Sequence, residues 1–96
     1  MTDRLSIMRQ DILSRVREFA AESLQSQFEF VPGECPVPVS GKVLDPEDFA
    51  FLVDASLDGW LTAGRFTEDF QRSLAKYVGA RSSVFVNSGS SANLLA

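Results

Sequence analysis

The sequence has no histidine and one cysteine, Cys35, among its 96 residues. A single cysteine cannot form an internal disulfide, and no Cys-x-x-Cys pair is present to hold a metal, so we predict no metal site. No apolar stretch approaches the length that spans a membrane, and residues 1–5 do not begin a secretory signal peptide. These absences lead us to expect a cytoplasmic protein that makes no membrane contact.

Positive charge is also in short supply, since nine lysines and arginines stand against thirteen aspartates and glutamates, for a formal net charge of −4. Surfaces that bind nucleic acid or anionic lipid carry excess positive charge. The sequence therefore predicts neither as a partner. Its length allows one small domain, although domains of roughly 100–200 residues are commoner.

The first part of the chain predicts an amphipathic helix from about Thr2 to Leu24, because apolar residues recur at steps of three and four. These residues are Leu5, Met8, Ile12, Val16, Phe19 and Ala20. The mixed charges between them favour a packing helix over a membrane-surface or partner-specific helix. Prolines and glycines then exclude a regular helix or a central strand, which leaves an extended segment or a linker.

Two more helices are predicted from their ends. Asp45 is a candidate N-cap with Pro46 in the first turn, and Gly59 ends that helix. Thr67 is the candidate N-cap of the next helix, and Gly79 closes it. We expect the buried side of this third helix to carry Phe70, Leu74, Tyr77 and Val78.

The loop between these two helices allows two interpretations. In the first interpretation, the loop is a surface connection whose Trp60 and Phe66 side chains pack inward. Alternatively, it also contacts a substrate through the Thr62 hydroxyl, the Gly64 backbone and the Arg65 guanidinium, which suits a carboxylate or diphosphate.

The last stretch predicts a short strand over Val84–Val86, a serine-rich turn, and a helix from about Ser90. Backbone amides at a helix start favour an anion, so Gly89, Ser90 and Ser91 are candidate phosphate ligands. An ordinary strand-to-helix connection is the alternative. The turn matches neither a Walker loop nor a dinucleotide fingerprint. Helices alternating with a strand predict an α/β layer.

The run Ser88-Gly89-Ser90-Ser91-Ala92-Asn93-Leu94-Leu95 resembles the Ser-Gly-Ser/Thr-x-Ala-x-Leu segment of the DegT/StrS family of sugar aminotransferases and dehydratases. The stretches 30–43 and 57–66 are similar to its lipopolysaccharide-biosynthesis branch, the CDP-4-keto-6-deoxyglucose 3-dehydratases. The resemblance implies the start of the α/β large domain of a fold-type I, aspartate-aminotransferase-like enzyme, preceded by an amphipathic helix. The predicted organisation is a helix in 1–24, an extended proline-rich segment in 25–43, and the start of that domain in 44–96.

The resemblance also implies a chemistry. Gly89, Ser90 and Ser91 would hold the phosphate of pyridoxal 5′-phosphate or pyridoxamine 5′-phosphate. Thr62, Gly64 and Arg65 would lie near a nucleotide-linked keto-sugar. The implied enzyme is a homodimer that removes the C3 hydroxyl of CDP-4-keto-6-deoxyglucose during O-antigen dideoxysugar synthesis. A reductase partner and an iron–sulfur cluster are compatible with the whole protein, although ligands for the cluster are not in this chain.

No residue of the chain is assigned as catalytic. The Schiff-base position, a lysine in the aminotransferases and a histidine in the dehydratases, would lie beyond Ala96, and Lys42 and Lys76 stand in other contexts. A sugar aminotransferase therefore stays open as an alternative. A truncated, non-catalytic interaction module is the alternative from another class.

We further expect the chain to be the front part of a longer enzyme, because the helix that begins near Ser90 has few residues before Ala96. Alone, it is expected to be inactive. It is also expected to be unstable or to associate, because a single strand has no neighbours with which to form a sheet.

Overall fold

The computed structural model describes residues 2–25 and 29–96. Four helices are present in this part of the chain: α1 (Thr2–Gln25), α2 (Pro46–Leu57), α3 (Arg65–Val78) and α4 (Gly89–Leu95). The chain divides into two compact units, Met1–Gly59 and Trp60–Ala96. Among the described residues, no helix combines the length and the apolar character needed to cross a membrane.

In the first unit, two arginines of α1 fix the orientation of α2. Arg9 Nε lies 2.5 Å from Asp54 Oδ1, and Arg9 also donates to the Asp54 carbonyl oxygen and to the Asp58 carboxylate. Farther along α1, Arg17 Nε and Nη2 donate to the two carboxylate oxygens of Glu47, at 2.5 and 3.1 Å. Since higher residue numbers in α1 meet lower numbers in α2, the two helices run antiparallel.

These ion pairs also shift the ionisation of their members. Hydrogen bonds to Asp54 and Asp58 raise the pKa of Arg9, and the hydrogen bond to Glu47 raises the pKa of Arg17. The same bond lowers the pKa of Glu47. The pairs range from part-buried at Arg9 and Asp54 to exposed at Glu47, and because water and salt reach them they contribute more to register than to stability.

Apolar burial between α1 and α2 rests on few side chains. Leu13 lies between the two arginines along α1 and is 6% exposed, while Ala50 lies between their partners along α2 and is 2% exposed. Ala20 is fully buried. The larger apolar side chains of the two helices are mostly exposed, including Leu5, Ile7, Met8, Phe19, Phe51 and Leu52.

The predicted limits of α1 and α2 are confirmed to within one residue at each end. Asp45 caps α2 through a reciprocal pair of hydrogen bonds. Its carboxylate accepts the Asp48 N–H, and the Asp48 carboxylate accepts the Asp45 N–H, both at 2.9 Å. Pro46 occupies the first turn as predicted, and Gly59, with φ of 66°, follows the helix end.

The segment between these helices has no regular secondary structure over residues 29–45 except a turn at Val31–Cys35. In that turn, the N–H groups of Glu34 and Cys35 both donate to the Val31 carbonyl oxygen, and Gly33 has φ of 86°. Residues 26–28 of the predicted extended segment lie outside the described residues. The division into 1–24, 25–43 and 44–96 stays a prediction.

In the second unit, the predicted start of α3 at Thr67 is wrong. The helix begins at Arg65 after Gly64, whose carbonyl oxygen accepts the Glu68 N–H at 3.1 Å and so closes the first turn earlier. The predicted end is confirmed: Gly79 is left-handed, with φ of 72°. The Ala80 and Gly79 N–H groups donate to the Ala75 and Lys76 carbonyl oxygens, which is a Schellman motif.

The predicted strand over Val84–Val86 is not formed, and the described residues contain no strand. A strand requires a neighbouring backbone with which to exchange hydrogen bonds, and segment 82–86 has none in the described chain. The α/β layer is therefore absent from this part of the structure.

The predicted buried side of α3 is also wrong. Phe70 is 51% exposed and Tyr77 is 88% exposed, while Leu74 and Val78 are exposed as well. The residue that is buried is Ala75. Trp60, expected to pack inward, is 67% exposed, whereas Phe66 is half-buried.

We predict that Leu13→Ala lowers the free energy of unfolding by about 2–3 kcal/mol, because it removes a large side chain that is buried between α1 and α2. Leu52→Ala is the matched control, since the same atoms are removed at a position that is 67% exposed. Urea unfolding followed by circular dichroism measures both changes. Equal losses for the two variants would contradict the assignment of Leu13 to the core.

Candidate functional site

The serine turn, residues 87–91, is built around the N-cap of α4. Ser88 has an extended backbone, and its Oγ accepts the Ser91 N–H at 3.1 Å. Ser91 Oγ in turn donates to Asn87 Oδ1 at 2.6 Å. The predicted helix start near Ser90 is thus one residue late, because Ser88 satisfies the first turn and α4 begins at Gly89.

The open hydrogen-bond donors of the turn belong to Gly89 and Ser90. Among the described residues no hydrogen-bond partner is found for either amide, as expected for the first residues of a helix. A Cβ added at Gly89 would meet nothing within 4 Å. Residues 87–91 include no carboxylate, so their donors suit an anion such as a phosphate.

The third predicted ligand, Ser91, differs from the other two. Its amide and its hydroxyl are both engaged in hydrogen bonds within the turn, and the residue is half-buried. In this arrangement Ser91 holds the shape of the turn, whereas Gly89 and Ser90 present free donors.

Gln71 is the residue that sequence reasoning missed. Its side-chain Oε1 accepts the Phe85 N–H at 2.8 Å, and its carbonyl oxygen accepts the Ser83 hydroxyl. Phe85 also meets Phe70 edge-to-face, with ring centroids 5.9 Å apart. These contacts hold the segment before the serine turn against α3. The available signal was a polar residue that shares the spacing of Leu74, Ala75 and Val78 on one helix face.

The other predicted site residues lie together at the start of α3. Trp60 Nε1 donates to the Ala63 carbonyl oxygen at 2.9 Å, which fixes the indole beside Gly64. A Cβ at Gly64 would lie 3.3 Å from Trp60 Cδ1, so the glycine leaves room for the ring. Arg65 places its guanidinium carbon 4.0 Å from the Phe66 ring centroid, and Thr62 is exposed. The candidate residues therefore form two sets, one at each of two helix starts.

Comparison with known proteins gives matches over most of the chain. The family model described as the DegT/DnrJ/EryC1/StrS aminotransferase family matches residues 42–96. The lipopolysaccharide biosynthesis protein RfbH of Salmonella typhimurium is 44% identical over 89 residues, which is 93% of this chain and 20% of that protein. The dTDP-4-dehydro-2,6-dideoxy-D-glucose 3-dehydratase of Saccharopolyspora spinosa is 44% identical over 85 residues, 88% of this chain and 18% of that protein.

The matched segment covers more than half of the sequence, and it includes the loop at the start of α3 and the serine turn. The chain belongs to the DegT/DnrJ/EryC1/StrS aminotransferase family. It spans about a fifth of the length of the curated relatives it matches, which are 44% identical to it. No solved structure matches the chain.

We predict that Gln71→Ala lowers the free energy of unfolding by about 1 kcal/mol, because it removes the acceptor of the Phe85 N–H. Hydrogen exchange of that amide should accelerate at the same time. Gln10→Ala, an exposed position on α1, is the matched control. Unchanged exchange at Phe85 in the Gln71→Ala protein would contradict the anchoring role.

Proposed function

We propose that this chain is the amino-terminal segment of a nucleotide-sugar 3-dehydratase that depends on pyridoxal or pyridoxamine 5′-phosphate. The observation that carries the proposal is the 44% identity, over 88% of the chain, to a protein named as a 3-dehydratase of a dTDP-linked 4-dehydro sugar. The equal identity to a lipopolysaccharide biosynthesis protein supports a role in making O-antigen sugars.

In this proposal the cofactor phosphate binds at the serine turn. The Gly89 and Ser90 amides and the Ser90 hydroxyl donate to phosphate oxygens, and the α4 dipole favours the negative charge. Ser91, through its bonds to Ser88 and Asn87, keeps these donors in position. When bound, the cofactor ring supplies an electron sink for a carbanion.

The loop at the start of α3 is proposed to bind the substrate. Arg65 carries a permanent positive charge suited to a diphosphate, Thr62 offers an exposed hydroxyl, and Gly64 is proposed to contact the substrate through its backbone. We propose CDP-4-keto-6-deoxyglucose as the substrate. The Saccharopolyspora relative is named for a dTDP-linked sugar, so the nucleotide is the first feature of the substrate to test.

The proposal extends to the whole protein. Segment 82–86 becomes a strand of the α/β large domain of a fold-type I enzyme when neighbouring strands pair with it. In this structure the Phe85 N–H donates to the Gln71 side chain, which takes the place of a carbonyl oxygen on a neighbouring strand. The protein is proposed to be a cytoplasmic homodimer, with a reductase as an additional partner, and any iron–sulfur cluster has its ligands outside these residues.

Two alternatives remain. The family is described as an aminotransferase family, which favours a sugar aminotransferase with the same phosphate turn as the second candidate. A non-catalytic interaction module is the third, and it is distinguished by having no affinity for the cofactor.

The test of function begins with the codons that follow Ala96, and the longest open reading frame is then expressed and purified. A dehydratase is expected to carry histidine at the Schiff-base position, to show no internal aldimine absorbance with pyridoxal phosphate, and to consume CDP-4-keto-6-deoxyglucose. A lysine with that absorbance would favour the aminotransferase. A stop codon and no cofactor binding would contradict both, and faster turnover of the dTDP sugar would revise the substrate.

We predict that Gly89→Ala weakens retention of the cofactor about tenfold while leaving stability unchanged or slightly higher. The added methyl group meets no protein atom but stands where the phosphate would approach, and alanine is the better helix former. Gly41→Ala is the matched control, because a Cβ there also meets nothing within 4 Å. Equilibrium dialysis measures cofactor binding, and equal affinities for both variants would contradict the phosphate site.

A further inference from the structure

The second unit has a cleft of about 470 Å³ between α3 and the segment that follows it. The Schellman turn at Gly79 reverses the chain, and the hydrogen bond from Ser83 to Gln71 holds the returning segment beside the helix. Ala75 and Ala80 line the cleft, and their small side chains leave space between the two walls. The cleft is thus a consequence of how segment 80–83 is attached to α3.

Three cationic side chains line this cleft: Arg72, Lys76 and Arg81. Glu68 is the one carboxylate of the lining, so the lining carries three positive charges and one negative, a net +2. The whole chain has a formal net charge of −4, so this concentration of positive charge runs against the average composition. When Asp69, which pairs with Arg72, is counted as well, three cations stand against two carboxylates, and the cleft still carries a net +1 on an otherwise acidic protein.

The structure leaves two of these cations available. Arg72 lies 3.2 Å from Asp69 in an exposed ion pair. Within the described residues, no ion pair involves Lys76 or Arg81. Lys76 also lies in the last turn of α3, where a cation complements the helix dipole. The helix end accounts for Lys76 and the ion pair with Asp69 accounts for Arg72, but neither accounts for the placement of Arg81 on the same cleft.

We propose that this cleft binds a small polyanion of the diphosphate class. Lys76 and Arg81 donate to its oxygens from opposite walls, the Ser82 hydroxyl adds a donor, and Ala75 and Ala80 form an apolar floor. The volume lies within the usual range of small-molecule sites. These residues are distinct from those of the serine turn, so the site is additional to the proposed cofactor site.

The test uses inorganic pyrophosphate as the probe, titrated calorimetrically into the purified protein at low ionic strength. Lys76→Glu and Arg81→Glu are each expected to weaken binding about tenfold or more, because each removes charge-assisted hydrogen bonds. Lys42→Glu makes the same charge change outside the cleft and is expected to leave binding unchanged. Binding should also weaken as salt is added.

Several outcomes would overturn the proposal. One is the absence of pyrophosphate binding by the unmodified protein. Another is an equal loss of pyrophosphate affinity in Lys42→Glu, because it would mean that net charge alone determines binding. Loss of pyrophosphate binding in Gly89→Ala with retention in the cleft variants would assign the anion to the serine turn instead. Should charge reversal perturb folding by circular dichroism, Lys76→Gln and Arg81→Gln provide the same comparison. A negative result for the cleft does not affect the proposed cofactor site, because Gly89→Ala tests that site separately.

Discussion

Two hydrogen bonds at Gln71 hold the segment that leads into the serine turn. Backbone groups outside helices and sheets need partners, and here a side-chain amide accepts the Phe85 N–H that a neighbouring strand would otherwise accept. The Gln71 carbonyl oxygen accepts the Ser83 hydroxyl, which fixes the same segment at a second point. Both features of interest in the second unit follow from this attachment, since the segment forms one wall of the cationic cleft and leads into the N-cap of α4.

Helix ends were the part of the fold that the sequence predicted well. The Asp45 N-cap and the glycines at 59 and 79 depend on atoms within a few residues of one another, so the local sequence carries nearly all the relevant information. The prediction of Thr67 as the N-cap of α3 was wrong for an equally local reason. Gly64 can also begin a helix, and two acceptable starts three residues apart cannot be ranked without knowing that the Gly64 carbonyl accepts the Glu68 N–H.

Burial could not be predicted in the same way. Apolar spacing indicates which side chains share a helix face, but whether that face is covered depends on surfaces elsewhere. Tyr77 and Phe70 on α3 and Trp60 before it were expected to be buried, yet each is at least half exposed. The prediction of a strand at 84–86 was wrong for the same reason. The preference of these residues for a strand is local, whereas the hydrogen-bonding partners of a strand lie elsewhere in the chain. In the candidate site, the bonds of Ser91 to Ser88 and Asn87 are local to the turn. The contact between Gln71 and Phe85 joins residues far apart in the sequence, so the local pattern could not predict it.

The same division between local and distant information separates the two parts of the proposed function. The proposed phosphate site needs only the amides of one turn, and residues 87–91 include no carboxylate that would repel an anion. The choice between dehydration and amino transfer depends instead on the group that forms or replaces the Schiff base, and no residue of this chain is assigned that role. The 3-dehydratase proposal therefore rests on the 44% identity outside the turn as much as within it. The serine turn supports the cofactor, and the resemblance of the surrounding chain supports the reaction.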